Sequence, residues 1–202
     1  MVRVGVLALQ GSVLEHKKAL SRIRGVYPIE VRGREEIEQV EGLILPGGES
    51  TVIGKLIKES GLAESIVKRS LGGMPVWGTC AGMILMAEKI IDEDYFYLGI
   101  MNISVRRNAY GGQLDSFCSS SCISEVSDKD IPLVFIRAPW AESAGSHVKI
   151  LYKLNGRIAA ARQNNLLATS FHPELTDNMS FHEYFIKMVT EYSKNNIKQF
   201  AV

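Results

Sequence analysis

Short apolar runs recur along the first half of the chain, each followed by a stretch with helical spacing. Residues 2–9 (VRVGVLAL) read as a buried strand, with a helix over residues 12–24. Residues 42–45 (GLIL) form a second strand that ends in the turn Pro46-Gly47-Gly48, and helices are expected over 51–59 and 62–71. Residues 75–78 (PVWG) form a third strand, and 81–90 continue as a helix. This strand–turn–helix rhythm predicts an α/β fold: a mostly parallel central sheet with helices on both faces.

The second half reads differently. Residues 98–105, 133–137, 148–154, 157–162 and 166–170 are expected as strands separated by short turns, and Asn155-Gly156 is a hairpin signal. An antiparallel segment therefore extends the parallel core. In the last helix, over 180–194, Phe181, Tyr184, Phe185, Met188, Val189 and Tyr192 form one apolar stripe, which reads as core packing. With no internal repeat or linker, one domain over 1–202 is the simplest organisation.

Composition narrows the function classes. Of 202 residues, 46% are hydrophobic, enough for a buried core. The 23 basic and 22 acidic side chains leave a net charge of +1, with no long Lys/Arg run. Neither nucleic acid nor an anionic membrane is an expected partner. The first apolar run is too short and Gly-interrupted for a signal peptide, and no stretch approaches a membrane span, so a cytoplasmic location is expected. Cys80, Cys118 and Cys122 do not resemble a disulfide framework. The C-x-x-x-C pair of Cys118 and Cys122 lacks companion metal ligands and reads as incidental.

Gly78-Thr79-Cys80-Ala81-Gly82 lies between the strand PVW and the helical run MILMAEKI. G-x-C-x-G has the form of a nucleophile elbow, in which a strand turns sharply into a helix. The flanking glycines remove side chains that would clash, and the central residue is forced into strain. Its thiol projects at a helix N-terminus, where the helix dipole favours a negatively charged nucleophile. The Ala81 N–H can face a developing oxyanion. The alternative is a buried cysteine that happens to lie between glycines.

A thiolate nucleophile needs a proton partner. Of the four histidines, only His172 ends an apolar strand, in Ser170-Phe171-His172-Pro173-Glu174. Pro173 stops the strand, and Glu174 can turn back to orient the imidazole. His16 and His182 fall in amphipathic helices and are expected to be solvated or interfacial; His147 falls in a polar loop. The third candidate element is Pro46-Gly47-Gly48-Glu49-Ser50-Thr51, whose Gly-Gly turn lets backbone N–H groups approach a ligand. It is not a phosphate loop, since the Walker pattern is absent. A plain tight turn before a helix is the alternative.

Together PGGEST, GTCAGMI and SFHPEL resemble a class I, triad-type glutamine amidotransferase of flavodoxin-like fold. Leu7-Ala8-Leu9-Gln10-Gly11, Arg107-Asn108, Gln113-Leu114-Asp115-Ser116-Phe117 and Phe135-Ile136-Arg137-Ala138-Pro139 extend the likeness to one branch, the PdxT/SNO family of pyridoxal 5′-phosphate synthase glutaminase subunits. The resemblance covers about residues 2–192. It implies that Cys80 attacks the glutamine amide, that His172 carries the proton and that Glu174 orients His172. It implies that Gly47, Gly48, Glu49, Arg107, Ile136 and Arg137 form the glutamine pocket. Gln10, Gly48 and Ala81 are implied at the oxyanion site, with Gln10 acting when the synthase docks. It further implies ammonia transfer to a (β/α)₈-barrel synthase partner in vitamin B6 biosynthesis, with no metal and no cofactor on this chain. Arg106, Gly111-Gly112 and Trp140 depart from the family pattern around the pocket and partner side. Rival readings are a glutaminase serving a histidine, purine or cobyric acid synthase, a catalytically dead regulatory subunit, and a peptidase of similar elbow type.

Overall fold

The computed structural model describes residues 1–107 and 116–199. Asn108, Gly111-Gly112 and Gln113-Leu114-Asp115, quoted above, lie outside the described residues. In chain order the first half holds β1 (Val2–Leu7), α1 (Val13–Ser21), β2 (Val26–Val31), α2 (Arg34–Gln39) and β3 (Gly42–Leu45). Then come α3 (Ser50–Glu59), α4 (Leu62–Leu71), β4 (Val76–Thr79), α5 (Ala81–Met86) and β5 (Ala87–Ile90). The second half holds β6 (Met101–Arg106), β7 (Ser116–Cys122), β8 (Asp130–Ile136), β9 (Trp140–Ala144), β10 (Lys149–Leu154), β11 (Arg157–Gln163) and β12 (Leu166–Thr169). A short 3₁₀ turn (Pro173–Leu175) and α6 (Ser180–Gln199) follow.

Ten strands form one sheet, ordered β2-β1-β3-β4-β12-β11-β9-β6-β5, with β10 attached to β11. From β2 to β12 every pairing is parallel. At β11 the direction reverses, and the pairs β12·β11, β11·β9, β9·β6 and β10·β11 are antiparallel. The expected antiparallel extension of a parallel core is therefore present. The β10–β11 hairpin turns on Asn155 (φ 50°) and Gly156 (φ 81°), both in the left-handed region that a two-residue primed turn requires.

Strand alternation explains the continuous apolar runs. Leu7, Leu43, Leu45 and Val76 face a core closed by Ile37 of α2, Ile53 and Ile57 of α3 and Ile66 of α4. Val4, Val6, Ile44 and Trp77 face the opposite core, closed by Leu20 of α1 and by Phe181, Phe185 and Val189 of α6. Both faces are buried, so neither can be polar. The α6 stripe is core, as expected. β7 and β8 form a separate hairpin whose Leu133 and Phe135 join that second core.

Several expectations need correction. The helix over 81–90 stops at Met86, and residues 87–90 form β5, paired in parallel with β6. There, pairing against Met101 and Val105 overrides the helical preference of Ala87-Glu88-Lys89. The strand expected over 98–105 starts at Met101. β2, α2, β7 and β9 carry no strong apolar period and were not anticipated. β7 in particular is Ser116-Phe117-Cys118-Ser119-Ser120-Ser121-Cys122, held by its full register with β8.

Candidate active site

Adjacent strands β1, β3, β4 and β12 run parallel, and their carboxyl ends deliver the candidate residues to one edge of the sheet. Gln10 follows β1, Gly47 and Gly48 follow β3, Cys80 follows β4, and His172 lies three residues past β12. A cleft of about 270 Å³ opens there, lined by Gln10, Gly48, Glu49, Cys80, Ala81, Arg107, Ile136, Arg137 and His172, together with Ser50, Ile84 and Pro139. Gly47 completes the predicted set from behind, packed against the His172 ring. This is the edge at which open α/β sheets bind ligands.

Cys80 has φ 47° and ψ −104°, the strained geometry expected of an elbow. Its N–H donates to the Thr169 carbonyl at 2.8 Å, so the turn is anchored to β12. A Cβ on Gly82 would drive into the Leu45 carbonyl, and one on Gly78 into the Gly82 backbone. Both glycines are thus required by close backbone approach. Gly82→Ala is expected to cost at least about 2 kcal/mol, because backbone rather than a flexible side chain must yield. Urea unfolding of variant against wild type checks this, and an unchanged midpoint would contradict it.

The thiol of Cys80 approaches the Ile136 carbonyl at 3.8 Å and also interacts with the His172 imidazole. His172 Nδ1 lies 2.8 Å from Glu174 Oε1, which also accepts the Ser12 hydroxyl at 2.6 Å. Burial pushes the His172 imidazole down, yet the hydrogen bonds and charges of Cys80 and Glu174 prevail and hold it up at about 10. Burial likewise pushes Glu174 up, but His16, His172 and Ser12 outweigh it and hold the carboxyl at about 2. Complete burial pushes the His16 imidazole down, and the Glu174 charge beside it works in the opposite direction. The His172 backbone N–H donates to the Val134 carbonyl at 2.8 Å, which ties this histidine to β8.

The glycine loop is braced from several sides. The Ser12 N–H donates to the Gly47 carbonyl at 3.0 Å, and the Gly47 N–H donates to the Thr79 hydroxyl at 3.0 Å. The Glu49 N–H donates to Gln10 Oε1 at 2.9 Å. Across the cleft mouth, Arg107 faces Glu49 at 3.6 Å and Glu93 at 3.4 Å. Arg137 sits at φ 41°, a second left-handed non-glycine residue on the cleft wall.

The segment 6–191, which includes every one of these residues, matches the SNO glutamine amidotransferase family. The chain belongs to that family. It is 54% identical over 187 residues to "Pyridoxal 5′-phosphate synthase subunit PdxT" of Thermoanaerobacter sp. (strain X514), covering 93% of this chain and 99% of that one. It is 50% identical over 187 residues to the protein of the same description from Clostridium acetobutylicum, covering 93% and 100%. A crystal structure described as a glutamine amidotransferase superposes with a TM-score of 0.87 at 42% identity, covering 93% of this chain and 98% of that one. PurLQS from Thermotoga maritima gives 0.64 at 18% identity over 95% and 99%, a likeness of fold alone.

Within this SNO amidotransferase, sequence reasoning missed the groups behind Cys80, His172 and Glu174. His16 and His182 are not solvated; both are fully buried. The signal was available. His16 leads Ala19 and Leu20 by three and four residues, and His182 leads Phe185 and Val189 by three and seven, so each lies on its helix's buried face. Ser12 and Thr79 gave no such signal. Arg106 points away from the cleft chemistry into pairs with Asp92 and Glu142, and Trp140 lies under the Arg157 guanidinium at 3.5 Å. Neither departure disturbs Cys80, His172 or Glu174. Cys118 and Cys122 are exposed free thiols on β7.

Proposed function

We propose that this chain is the single-domain, cytoplasmic glutaminase subunit of a pyridoxal 5′-phosphate synthase. The observation that carries the reading is the alignment of Cys80, His172 and Glu174 at the carboxyl ends of neighbouring parallel strands, beside a glycine loop. Cys80 Sγ attacks the side-chain amide carbon of L-glutamine. Negative charge collects on the amide oxygen, which backbone N–H groups of Gly48 and Ala81 receive, with Gln10 holding the loop. His172 gives its proton to the departing nitrogen as the C–N bond breaks, releasing ammonia and leaving a γ-glutamyl thioester. Water then attacks the thioester while His172 takes its proton, and glutamate and the thiolate separate. Glu174 fixes the ring throughout.

Ammonia released into water would be protonated and lost, so a docked partner must receive it. The curated relatives named above carry pyridoxal 5′-phosphate synthase in their descriptions. On that basis the acceptor is a pyridoxal 5′-phosphate synthase subunit, and the family resemblance implies one of (β/α)₈-barrel type. The deciding experiment measures glutamate release by this chain with and without that subunit, and coenzyme formation with glutamine as sole nitrogen source. Stimulation by a histidine, purine or cobyric acid synthase instead would overturn the assignment. Of the two guanidinium groups on the cleft wall, Arg107 and Arg137, we assign Arg107 to the substrate α-carboxylate, because a guanidinium fork matches a carboxylate. Arg107→Ala is expected to raise KM for glutamine about 10- to 100-fold, the loss of one charge-assisted contact. kcat should fall far less, as steady-state kinetics will show.

A further inference from the structure

Behind the triad, away from the cleft, lies a pair of buried histidines that the reaction above does not use. His16 Nδ1 is 3.1 Å from His182 Nε2. His16 Nε2 is 3.1 Å from Thr79 Oγ1 and 3.4 Å from Glu174 Oε2. Both rings stand edge-on to Trp77, which holds them between α1, α6 and β4. The pair therefore has one geometry, set by core packing.

The direction of its hydrogen bonds follows from what each atom can do. Glu174 is ionised, so its oxygens only accept. Oε1 is occupied by His172 and Ser12; Oε2 is buried and makes no hydrogen bond, with His16 Nε2 facing it at 3.4 Å. A proton on His16 Nε2 then turns an N–H, and not a lone pair, toward the carboxylate at Oε2, while the ring stays 3.1 Å from Thr79 Oγ1. His16 Nδ1 is bare and accepts from His182 Nε2–H. This leaves His182 Nδ1 as a lone pair without a partner, a smaller loss than an orphaned N–H. The opposite tautomers would set two lone pairs against each other at Glu174 and strand an N–H on His182. The Thr79 oxygen also accepts the Gly47 N–H, so His16 touches the supports of both the base and the glycine loop.

We propose that His16 is a positioning residue of this glutaminase: oriented by His182, it presents Nε2 to the second oxygen of Glu174 so that the first stays on His172. The proposal rests on the glutaminase reading above. In the complex with the synthase subunit, His16→Leu is expected to lower kcat about 10- to 100-fold, because an apolar group then faces the buried carboxylate oxygen. KM for glutamine should stay within about twofold, since His16 lies behind the triad and outside the cleft lining. His16→Gln, which can still reach Glu174 with an N–H, should recover most of the loss. His182→Leu removes only the orientation of His16 and should cost less, and it serves if His16→Leu does not fold. Iodoacetamide alkylation of Cys80 reads the same support without glutamine and should slow in His16→Leu. If wild type turns over no glutamine but alkylation still slows, the function is wrong and the positioning role stands. Unchanged kcat and alkylation in a folded His16→Leu variant would overturn the proposal. So would losses in both histidine variants that merely track loss of folded protein, with no rescue by Gln.

Discussion

Cys80→Ala is expected to abolish glutamine hydrolysis, by on the order of 10⁵- to 10⁶-fold, while the protein stays folded. The loss is this large because, among the described residues that line the cleft, Cys80 is the one thiol. On the proposed mechanism the three residues act as a unit, so His172 and Glu174 have no nucleophile to serve without the thiol. Assayed with the synthase subunit, the variant should release no glutamate above background. Acid quenching of wild type in turnover should show a γ-glutamyl mass on the Cys80 peptide, absent from the variant. Equal activity in the two proteins would end the catalytic assignment and leave the dead-subunit reading.

The same position makes a counterintuitive stability prediction part of this result. The φ of 47° and ψ of −104° at Cys80 are costly for any residue with a Cβ. Alanine keeps that cost, so Cys80→Ala should unfold within about 1 kcal/mol of wild type. Glycine relieves it, and Cys80→Gly should be more stable by about 1 kcal/mol or more, although inactive. Strain at Cys80 is then held in place by the surrounding fold: the Thr169 carbonyl on one side and the close-packed Gly78 and Gly82 on the other.

How far the site was legible depended on whether chemistry and backbone geometry met in a short stretch. Cys80 and its glycines could be read because a strand-to-helix turn demands that spacing locally. His172 could be read because it ends an apolar strand before proline. The wall residues Arg107, Ile136 and Arg137 had no such local logic and came only through family resemblance; the cleft does bring them together. His16, His182, Ser12 and Thr79 converge from α1, α6 and the end of β4, up to 166 residues apart in sequence. Only the fold juxtaposes them, and a buried histidine on an apolar helix face looks in sequence like an interruption. The fold shows the same divide. The doubly buried strands β1, β3, β4 and β12 announce themselves as apolar runs, whereas β5 and β7 are strands because a partner strand holds them.

Glu174→Gln tests the electrostatic half of the site, with an expected fall in kcat of about 10³- to 10⁴-fold. The amide is nearly isosteric and keeps the volume, but it removes the charge that helps hold His172 at about 10. It can also turn an N–H toward His172 Nδ1, which stabilises the tautomer unable to take a proton from the thiol. Titration of the His172 ring by NMR should therefore show deprotonation at lower pH in the variant. Stability should follow with definite signs. The raised His172 value contributes stability that is full below 6.5 and is lost as pH rises through about 10; this alkaline loss should shrink in Glu174→Gln. The depressed Glu174 value contributes stability that is full above 4.5 and is lost as pH falls toward about 2. Glutamine does not titrate, so the variant should lack that acid loss, and its stability deficit should narrow between pH 4.5 and 2. A deficit that stays constant over that range would mean that Glu174 holds His172 by shape alone, with its charge neutralised by the histidines behind it.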